Sequence, residues 1–464
     1  HRPAGKDGLL RCFKSYDIRG HVGTDLTPDI ARRIGRALAE VLDARRVVIG
    51  RDCRLSSPDL AGATIAGLAG AGAGVLDLGL CGSEEVSCAT AGFGADGGVM
   101  ITASHNPADQ NGLKLVAAGA APLTADQFAA IRARVEAGTT APPRPTLPGA
   151  IHDIAREARA AYIAREARAA YIARLLSLVT PATLPPLRIV VNAGHGAAGP
   201  TFDALADALA QSGARMHYIR LCHAPDGHFP QGVPNPLLPE NRALTAAAVR
   251  AHHADLGLAW DGDFDRCFFF DDRGDFVPGE YVVALLAGAL LARAPGAAIV
   301  HDPRVIWAIR DAIAQGGGRA VQARTGHAHF KQALRDSGAV YGGELSGHHY
   351  FRDFHCCDSG MIPWLLLADL IGRRGQPLSS LIAGLRARFP ASDEINFRGI
   401  APAAALERVR SALEGAARAI DETDGLAMDM GGWRFCLRAS NTEALLRLTV
   451  EARDDAALVA AGVA

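Results

Sequence analysis

Three aspartates alternate along one short segment, Asp261-Gly-Asp263-Phe-Asp265, and Arg266 follows at once. The apolar runs LGLAW and CFFF flank the segment, so we expect it at a strand end. Carboxylate oxygens gathered at one point are the ligands that a hard divalent cation such as Mg²⁺ prefers. A calcium-binding EF-hand is excluded, because it needs Gly at the sixth position, where Arg266 stands, and Glu at the twelfth, where Asp272 stands. A solvated acidic turn is the alternative.

A hydroxyl that could react lies in the segment TASHNP, where Ser104 follows the apolar run GGVMI. Proteins of the α/β class place reactive groups at strand ends, and Pro107 stops the strand from continuing. Lys114 follows in the segment NGLK, and an amine near a nucleophilic hydroxyl can act as a general acid or base. Taken alone, Ser104 is more typical of a turn or a helix cap, and Lys114 of a surface position.

Two further polar segments could bind a ligand. Glu344, Ser346 and His348 alternate between glycines in GGELSGH, and such a loop can offer three polar groups to one polyhydroxy ligand. The segment RASNT at 438–442 combines a guanidinium group, hydroxyls, an amide and backbone N–H groups, a combination that suits a phosphate. A flexible hairpin and a simple Asx turn are the alternatives.

The elements that must position these segments follow an α/β pattern. Helical stretches rich in Ala, Leu and Arg alternate with short apolar runs at 46–50, 98–102, 188–192, 256–260 and 298–300. This alternation predicts mostly parallel strands that are covered on both faces. A copy of the nonapeptide AREARAAYI at 155–163 recurs at 164–172. Nine residues turn a helix by about two and a half turns, so the two copies must face opposite sides, and we interpret them as a local duplication within a helix.

The chain length and the breaks in its composition predict four units. Its 464 residues are too many for one hydrophobic core. Stretches rich in Pro and Gly at 138–149 and 373–377 mark two boundaries, and a strand that restarts near residue 254 marks a third. The predicted units are 1–148 with the Ser104 segment, 149–254 ending at the border of the aspartate loop, 255–373 with the metal-binding and sugar-binding loops, and 374–464 with the RASNT segment.

Composition and charge exclude several classes of protein. The 48 Lys and Arg residues balance the 49 Asp and Glu residues, which leaves a formal net charge of −1. This is not the charge of a protein that binds nucleic acid or an anionic membrane. The most apolar stretch, 281–292, is too short to span a bilayer. The nine cysteines are scattered without a CxxC pair, which indicates reduced thiols and a cytoplasmic protein.

Taken in order, these segments resemble the α-D-phosphohexomutase superfamily, in particular its bacterial phosphomannomutase/phosphoglucomutase branch. The resemblance runs from YDIRG at 16–20 through TASHNP, NGLK, DGDFDR, TGH at 325–327 and GELSGH to RASNT, nearly the whole chain. It implies a four-domain architecture, in which three α/β mixed-sheet domains and a smaller C-terminal α+β domain surround a central cleft. It also implies reversible interconversion of hexose 1-phosphate and hexose 6-phosphate through a phosphoserine and a hexose 1,6-bisphosphate.

The resemblance implies roles for individual residues. The Mg²⁺ ligands would be Ser104, Asp261, Asp263 and Asp265, with Ser104 as the phosphoserine. The catalytic residues would be Ser104, Lys114, Arg19, His105, Arg266 and His327. The substrate would be bound by Tyr16, Arg304, Thr325, Gly326, Glu344, Ser346, His348, Arg438, Ser440, Asn441 and Thr442. Where many relatives have Lys, this chain has Arg304, so a phosphate contact there would come from a guanidinium fork.

The same resemblance implies a monomer whose partners are small hexose phosphates, with glucose 1,6-bisphosphate as activator. Two other functions compete with it. A Mg²⁺-dependent phosphatase with an aspartate nucleophile also uses an Asp-x-Asp after a strand, but leaves Ser104, GELSGH and RASNT without a role. A non-catalytic sugar-phosphate-binding protein would not need three carboxylates beside a presented serine. The choice between glucose and mannose phosphates stays open.

Overall fold

The computed structural model describes residues 11–138, 154–439 and 445–463, with the backbone alone for residues 154–159. Within these ranges the chain forms four five-stranded sheets in sequence order. Three are mixed sheets with covering helices, and the fourth, at the C-terminal end, is antiparallel throughout. The predicted fold class is confirmed.

The first sheet has the strand order β1-β5-β4-β2-β3. Its strands are β1 (Ile18–His21), β2 (Arg46–Arg51), β3 (Gly74–Leu80), β4 (Gly97–Ile101) and β5 (Gln110–Ala117). Its helices are α1 (Pro28–Val41), α2 (Ser57–Gly70), α3 (Ser83–Gly92) and α4 (Ala125–Ala137). Helix α1 begins where Thr27 accepts a hydrogen bond from the Ile30 amide and a proline takes the first helical position. β2 pairs in parallel with β3 and β4, whereas β5 is antiparallel to β4 and β1.

The second sheet repeats this plan in the order β10-β9-β8-β6-β7. Its strands are β6 (Arg188–Asn192), β7 (His217–Leu221), β8 (Leu256–Trp260), β9 (Cys267–Phe270) and β10 (Phe276–Val277), and its helices are α5 (Ile154–Leu176), α6 (Ala198–Gln211) and α7 (Ala243–His252). The sequence suggested a boundary near residue 254, but β8 pairs in parallel with β6. A strand that restarts after a helix looks the same whether it opens a new sheet or continues the old one. The second sheet therefore continues to Val277 and contains the aspartate loop.

Both copies of the nonapeptide lie in the single helix α5. Tyr171, in the second copy, is buried, whereas Tyr162, in the first, is 56% exposed. This is the opposite facing that the helical period predicts, because nine residues leave the two side chains half a turn apart. The second copy packs Tyr171 and Ile172 into the core, and Leu175, just after it, packs there too.

The third sheet follows the same plan again, in the order β12-β11-β13-β14-β15. Its strands are β11 (Ala298–His301), β12 (Arg319–Gln322), β13 (Tyr341–Gly343), β14 (His349–Phe351) and β15 (Cys357–Asp358). Its helices are α8 (Gly279–Leu291), α9 (Trp307–Gln315), α10 (His327–Ser337), α11 (Ile362–Arg374) and α12 (Leu378–Arg388). The cores of the second and third sheets merge into one large cluster that includes Phe202, Trp260 and Trp364. The second and third units therefore share one hydrophobic core.

The fourth sheet has the order β16-β20-β19-β18-β17. Its strands are β16 (Ile395–Arg398), β17 (Ala419–Asp421), β18 (Leu426–Asp429), β19 (Trp433–Ala439) and β20 (Leu445–Ala452), and its helices are α13 (Pro402–Leu413) and α14 (Ala456–Val463). Buried Arg434 connects it to the third unit by donating to the carbonyl oxygens of Pro303 and Arg304. No described helix is both long and apolar enough to cross a membrane.

Candidate active site

The chemistry-bearing loops occupy equivalent places in the three mixed sheets. The Ser104 segment joins β4 to β5, the aspartate loop joins β8 to β9, and the GELSGH segment joins β13 to β14. In each sheet the strand before the loop is fully buried and belongs to the parallel half, and the strand after it is antiparallel. Ligands bind beyond the carboxyl ends of such strands. One repeated topology thus brings three separate sequence motifs to one cleft.

Ser104 and the aspartate loop meet directly, as the family resemblance implied. The Ser104 hydroxyl donates to Asp261 Oδ2 at 2.5 Å and lies 3.0 Å from His105 Nδ1. The residue is fully buried, and its φ of +53° is left-handed, a conformation held by a hydrogen bond from its amide to Thr102 Oγ1 at 2.8 Å. A Cβ added at Gly262 would lie 2.5 Å from the Ser104 carbonyl oxygen. The glycine therefore lets the two loops approach so closely.

The three aspartates form a compact set of oxygen ligands. One carboxylate oxygen from each lies within 4.8 Å of the others, and all three residues are buried. Burial, together with the neighbouring charges of Asp263 and Asp265, raises the pKa of Asp261 to about 8. Among the described residues, the Oδ1 atoms of Asp263 and Asp265 have no hydrogen-bond partner. Three buried carboxylates this close together, two of which have an oxygen without a partner, fit a divalent cation.

Lys114 supplies a positive charge beside this triplet. Its Nζ lies 2.6 Å from Asp263 Oδ2 and 2.5 Å from Asp265 Oδ2. Burial favours the neutral amine, but the two carboxylates outweigh it and raise the pKa of Lys114 far above its ordinary value. Burial likewise favours the protonated acid at Asp263, yet the lysine lowers the pKa of that carboxyl to about 2. Lys114 is therefore a proton-bearing cation at neutral pH.

Other predicted residues lie around the same point. Arg19 donates to Asn106 Oδ1 at 2.8 Å and to Asp17 Oδ2 at 3.0 Å. His327 Nε2 lies 3.1 Å from Asp17 Oδ1, so Asp17 joins the first unit to the third. Three other predicted residues lie farther from the triplet than Lys114 does. Arg266 Nε is 3.7 Å and His105 Nδ1 is 4.0 Å from Asp261 Oδ2. His348 Nδ1 is 3.9 Å from Asp265 Oδ1.

The two predicted sugar-binding side chains differ in their contacts. Glu344 is buried, and its carboxylate accepts hydrogen bonds from the Tyr350 hydroxyl at 2.5 Å and from the Gly326 amide at 3.1 Å. The hydroxyl of Ser346 is buried and has no hydrogen-bond partner in the described ranges. A cavity of about 350 Å³ is lined in part by Tyr16, Lys114 and His327, but neither Glu344 nor Ser346 lines it. Such a volume suits a small ligand.

A second group of charges lies where the third and fourth units meet. Arg304 binds Asp302 at 2.6 Å, and Arg438 binds Glu394 at 3.1 Å. Thr325 donates its hydroxyl to Asp424. Of the predicted RASNT residues, Ser440, Asn441 and Thr442 lie outside the described residues. Of the predicted residues in this segment, the structure therefore describes Arg438 alone. Its buried Nε has no hydrogen-bond partner among the described residues.

Sequence reasoning missed Arg54, whose side chain binds the backbone of the Ser104 segment. Its buried guanidinium donates to four carbonyl oxygens in and beside that segment, those of Ser104, Asn106, Pro107 and Gln110. A signal was available. The pattern Asp-x-Arg follows β2 as residues 52–54 and follows β11 as residues 302–304, at equivalent places in two sheets. In both copies the arginine amide donates to the aspartate Oδ1, at 3.0 and 2.9 Å.

Three other contributors also escaped prediction. Ser83 begins α3 and donates its hydroxyl to Asp263 Oδ2 and its amide to the Asp263 carbonyl. The positive end of the helix therefore faces the anionic triplet. Buried Lys331 forms an ion pair with Asp358 at 2.8 Å, and Asp358 lies 3.3 Å from His348 Nδ1. None of these residues stands in a pattern that spacing alone could single out.

Fold and site together define a class: a four-unit α/β protein in which a serine hydroxyl, a carboxylate triplet and a lysine meet in one cleft. Sequence profiles agree with this class along most of the chain. The profile for phosphoglucomutase/phosphomannomutase alpha/beta/alpha domain I matches residues 10–142, domain II residues 169–274, domain III residues 278–389 and the C-terminal domain residues 394–462. The chain therefore belongs to the phosphoglucomutase/phosphomannomutase family, within the phosphohexomutase superfamily.

Individual relatives match over almost the full length. A phosphomannomutase of Salmonella montevideo is 49% identical over 453 residues, which covers 97% of each chain. A protein of Xanthomonas campestris pv. campestris described as phosphohexose mutases is 51% identical over 451 residues with the same coverage. The crystal structure of a phosphoglucomutase/phosphomannomutase family protein from Burkholderia thailandensis is 31% identical with a TM-score of 0.81, covering 97% of this chain and 95% of that one.

Proposed function

We propose that this protein is a hexose phosphate mutase that interconverts hexose 1-phosphate and hexose 6-phosphate through a phosphoserine at Ser104 and a hexose 1,6-bisphosphate. The observation that carries the proposal is the 2.5 Å contact between the Ser104 hydroxyl and Asp261 Oδ2. The full-length similarity to phosphomannomutases and phosphohexose mutases supports it. A phosphatase with an aspartate nucleophile gives no reason for a serine in contact with the triplet.

Magnesium fits the residues present. We propose that Asp261, Asp263 and Asp265 hold Mg²⁺ together with an oxygen of phosphorylated Ser104. The support is the convergence of three buried carboxylates, two of which have orphaned oxygens within the described ranges. A bound divalent cation would neutralise the charge that develops on the transferring phosphoryl group. Its second effect would be to let all three aspartates ionise at neutral pH.

The side chains around Ser104 divide the remaining work. In the transfer, the bond between phosphorus and Ser104 Oγ breaks while a bond to a sugar hydroxyl oxygen forms. Lys114, which carries a proton at neutral pH, serves as the general acid and base that exchanges it with the reacting oxygens. Arg19, His105 and Arg266 surround the phosphoryl group, and His327 is held beside them by Asp17. Positioning and charge neutralisation are what this reaction needs from a protein.

The two ends of the substrate are bound by different residues. We assign the sugar hydroxyls to Glu344 and Ser346, with Tyr16, Thr325, Gly326 and His348 beside them. We assign the phosphate that does not react to Arg304, Arg438, Ser440, Asn441 and Thr442. After the first transfer, the bisphosphate turns over, so that its other phosphate reaches Ser104. Added glucose 1,6-bisphosphate would then act as an activator, because it phosphorylates any Ser104 that has lost its phosphate.

We further propose that the enzyme is a cytoplasmic monomer with four domains. All nine cysteines lie in described ranges and are free, which supports a reducing compartment. Of the domain limits predicted from sequence, we keep 1–148 for the first domain. We move the start of the last domain from residue 374 to about residue 390, because Leu378 and Ile382 of α12 pack into the core of the second and third units. We move the middle boundary from residue 254 to residues 277–278, because β8, β9 and β10 pair within the second sheet.

A coupled assay tests the function directly. Purified protein with Mg²⁺ and a trace of glucose 1,6-bisphosphate should convert glucose 1-phosphate to glucose 6-phosphate, and mannose 1-phosphate in the same way. Comparison of kcat/KM for the two sugars identifies the preferred one. The Ser104→Ala variant should lose activity by several orders of magnitude, because no group remains to carry the phosphoryl. A Ser87→Ala variant, a buried serine in α3, controls for the loss of a buried hydroxyl. Full activity in Ser104→Ala would reject the phosphoserine.

A further inference from the structure

One carboxylate, that of Glu394, binds arginines from two of the four units. Glu394 lies directly before β16. Its Oε2 is 3.6 Å from Arg304 Nη1 and 3.1 Å from Arg438 Nη2, and its Oε1 is 3.1 Å from Arg447 Nη1. Arg304 and Arg438 are two of the residues assigned above to the phosphate that does not react. A carboxylate therefore lies on the same guanidinium groups that this phosphate would use.

The strand register explains why an anion is needed at this place. Arg438 on β19 stands directly opposite Arg447 on β20 in the antiparallel ladder. Like charges in directly opposed positions of a ladder destabilise a sheet. Glu394 precedes β16, the neighbour of β20, and its two oxygens divide between the two opposed arginines. Burial alone would raise the pKa of Glu394, but the charges of Arg304, Arg438 and Arg447 lower it. The carboxylate is therefore ionised at neutral pH.

Three carboxylates balance the three arginines, and they differ in how firmly they are held. Asp302 is fully buried and accepts hydrogen bonds from the amides of Arg304 and Leu345. Asp424 is 10% exposed and accepts from the amide and hydroxyl of Thr325. Glu394 is 27% exposed, and the partners recorded for it in the described ranges are the arginines alone. It is therefore the anion that a phosphate can displace with the least disturbance of the backbone.

We propose that Glu394 competes with the distal phosphate of the substrate for Arg304 and Arg438, and so limits how tightly a phosphorylated ligand is held at this end of the cleft. The inference rests on the proposed function, because it takes these two arginines as the distal phosphate site. This competition would help the phosphorylated ligand to leave the site. A bisphosphate that turns over must leave this site once in every cycle, and a carboxylate that replaces it on the arginines makes leaving easier.

Removal of the negative charge of Glu394 should therefore tighten the binding of phosphate and slow turnover. The Glu394→Gln variant keeps the shape of the side chain but competes less well for guanidinium groups. We expect inorganic phosphate to bind this variant about threefold to tenfold more tightly than the wild type, a range typical of a partly exposed charge pair. KM for the hexose phosphate should fall, and kcat should fall with it, because release becomes slower. A purely structural role of Glu394 would not predict tighter binding.

The matched control is Asp393→Asn, which removes one negative charge at the adjacent, exposed position. Calorimetric titration of the full-length proteins with inorganic phosphate measures the affinity. Tighter binding by Glu394→Gln alone supports the competition. Equal or weaker binding by that variant overturns it, as does equal tightening by Asp393→Asn, which would indicate a general field effect. The double variant Glu394→Gln/Arg438→Gln should lose the gain, and a gain that survives places the phosphate elsewhere and overturns the proposal.

Two further measurements separate the possible failures. Glu394→Asp keeps the charge but shortens the side chain, and it should bind phosphate with an affinity between those of the wild type and Glu394→Gln; weaker binding than the wild type contradicts competition. If Glu394→Gln gains affinity in a protein that converts no hexose phosphate, the competition holds and the mutase function falls. If the wild type converts sugars but Glu394→Gln gains no affinity, the competition alone falls.

Discussion

Replacement of Arg54 by lysine tests whether the Ser104 segment owes its geometry to one buried cation. The Arg54 side chain is 1% exposed. Its two terminal nitrogens each donate to two carbonyl oxygens, at distances of 2.6 to 3.0 Å. Its Nε lies 3.3 Å from Asp52 Oδ2. The guanidinium fork therefore fixes both ends of the turn from Ser104 to Gln110 at once.

Lysine keeps the charge but concentrates its donors on a single nitrogen. One ammonium group cannot reproduce four bonds that two nitrogens of a planar fork make, so we expect two carbonyl oxygens to lose their donors. Each buried, unsatisfied group costs about 1 to 3 kcal/mol, so the loss of two donors in Arg54→Lys should cost about 2 to 6 kcal/mol of stability in the first domain. Ser104 has a left-handed backbone conformation with φ of +53°, which such support maintains. Relaxation of the turn by about 1 Å would cost about 100-fold in kcat.

KM should change by less than about threefold, because Arg54 donates to backbone oxygens and lies below the loop. Steady-state kinetics of the coupled reaction separates kcat from KM, and a melting curve reports the stability. Arg46→Lys is the matched control, since Arg46 donates to the Phe93 and Gly94 carbonyls at the far end of the same sheet. Arg54→Lys with a wild-type kcat would refute the reasoning, and so would a kcat loss of equal size in Arg46→Lys.

Two further predictions concern the charges of the cleft. Asp263→Asn should raise the Mg²⁺ concentration required for half-maximal activity by at least about tenfold, because one anionic ligand is lost. Asp271→Asn, which changes a carboxylate outside the triplet, should leave this concentration unchanged. An unchanged Mg²⁺ requirement in Asp263→Asn would show that Asp263 is not a metal ligand. Asp17→Asn should destabilise the protein by about 3 kcal/mol at pH 7, since it leaves Arg19 and His327 without their buried partner. Burial raises the pKa of Asp17, but His327 and Arg19 lower it well below its ordinary value, so the stabilisation is present above about pH 4 and is lost as the pH falls further. Urea midpoints of wild type and variant should therefore converge below pH 4, and a constant gap would contradict the electrostatic explanation.

Apolar runs followed by polar segments mark strand ends clearly, so the sequence predicted the fold class and the place of each loop at a strand end. The meeting of Ser104 with the aspartates was implied by the family resemblance. Local sequence could not determine the boundary near residue 254, because its position depends on which strands pair. Pairing between β6 and β8 is a long-range choice, and nothing local to LGLAW distinguishes a strand that opens a sheet from one that extends it.

Two residues whose roles the spacing of motifs does not predict act through contacts that cross units. Asp17 matters because His327, which is 310 positions away, approaches it, and Ser83 matters because α3 points at Asp263. Glu344 shows a related limit. Its alternation with Ser346 suggested that both face a ligand, yet its carboxylate is shared between Tyr350 and Gly326. Spacing predicts which side of a strand a residue occupies, but the partner that approaches that side depends on the packing of the whole molecule.

The most direct test of the account is the mass of the active protein. Intact-mass and peptide mass spectrometry should find a single phosphate on Ser104 after incubation with glucose 1,6-bisphosphate, and that phosphate should leave when an excess of hexose 1-phosphate is added. The Ser104→Ala protein should carry none. A phosphate on another residue, or full turnover by a protein that never carries one, would contradict the central claim that Ser104 transfers the phosphoryl group beside the aspartate triplet.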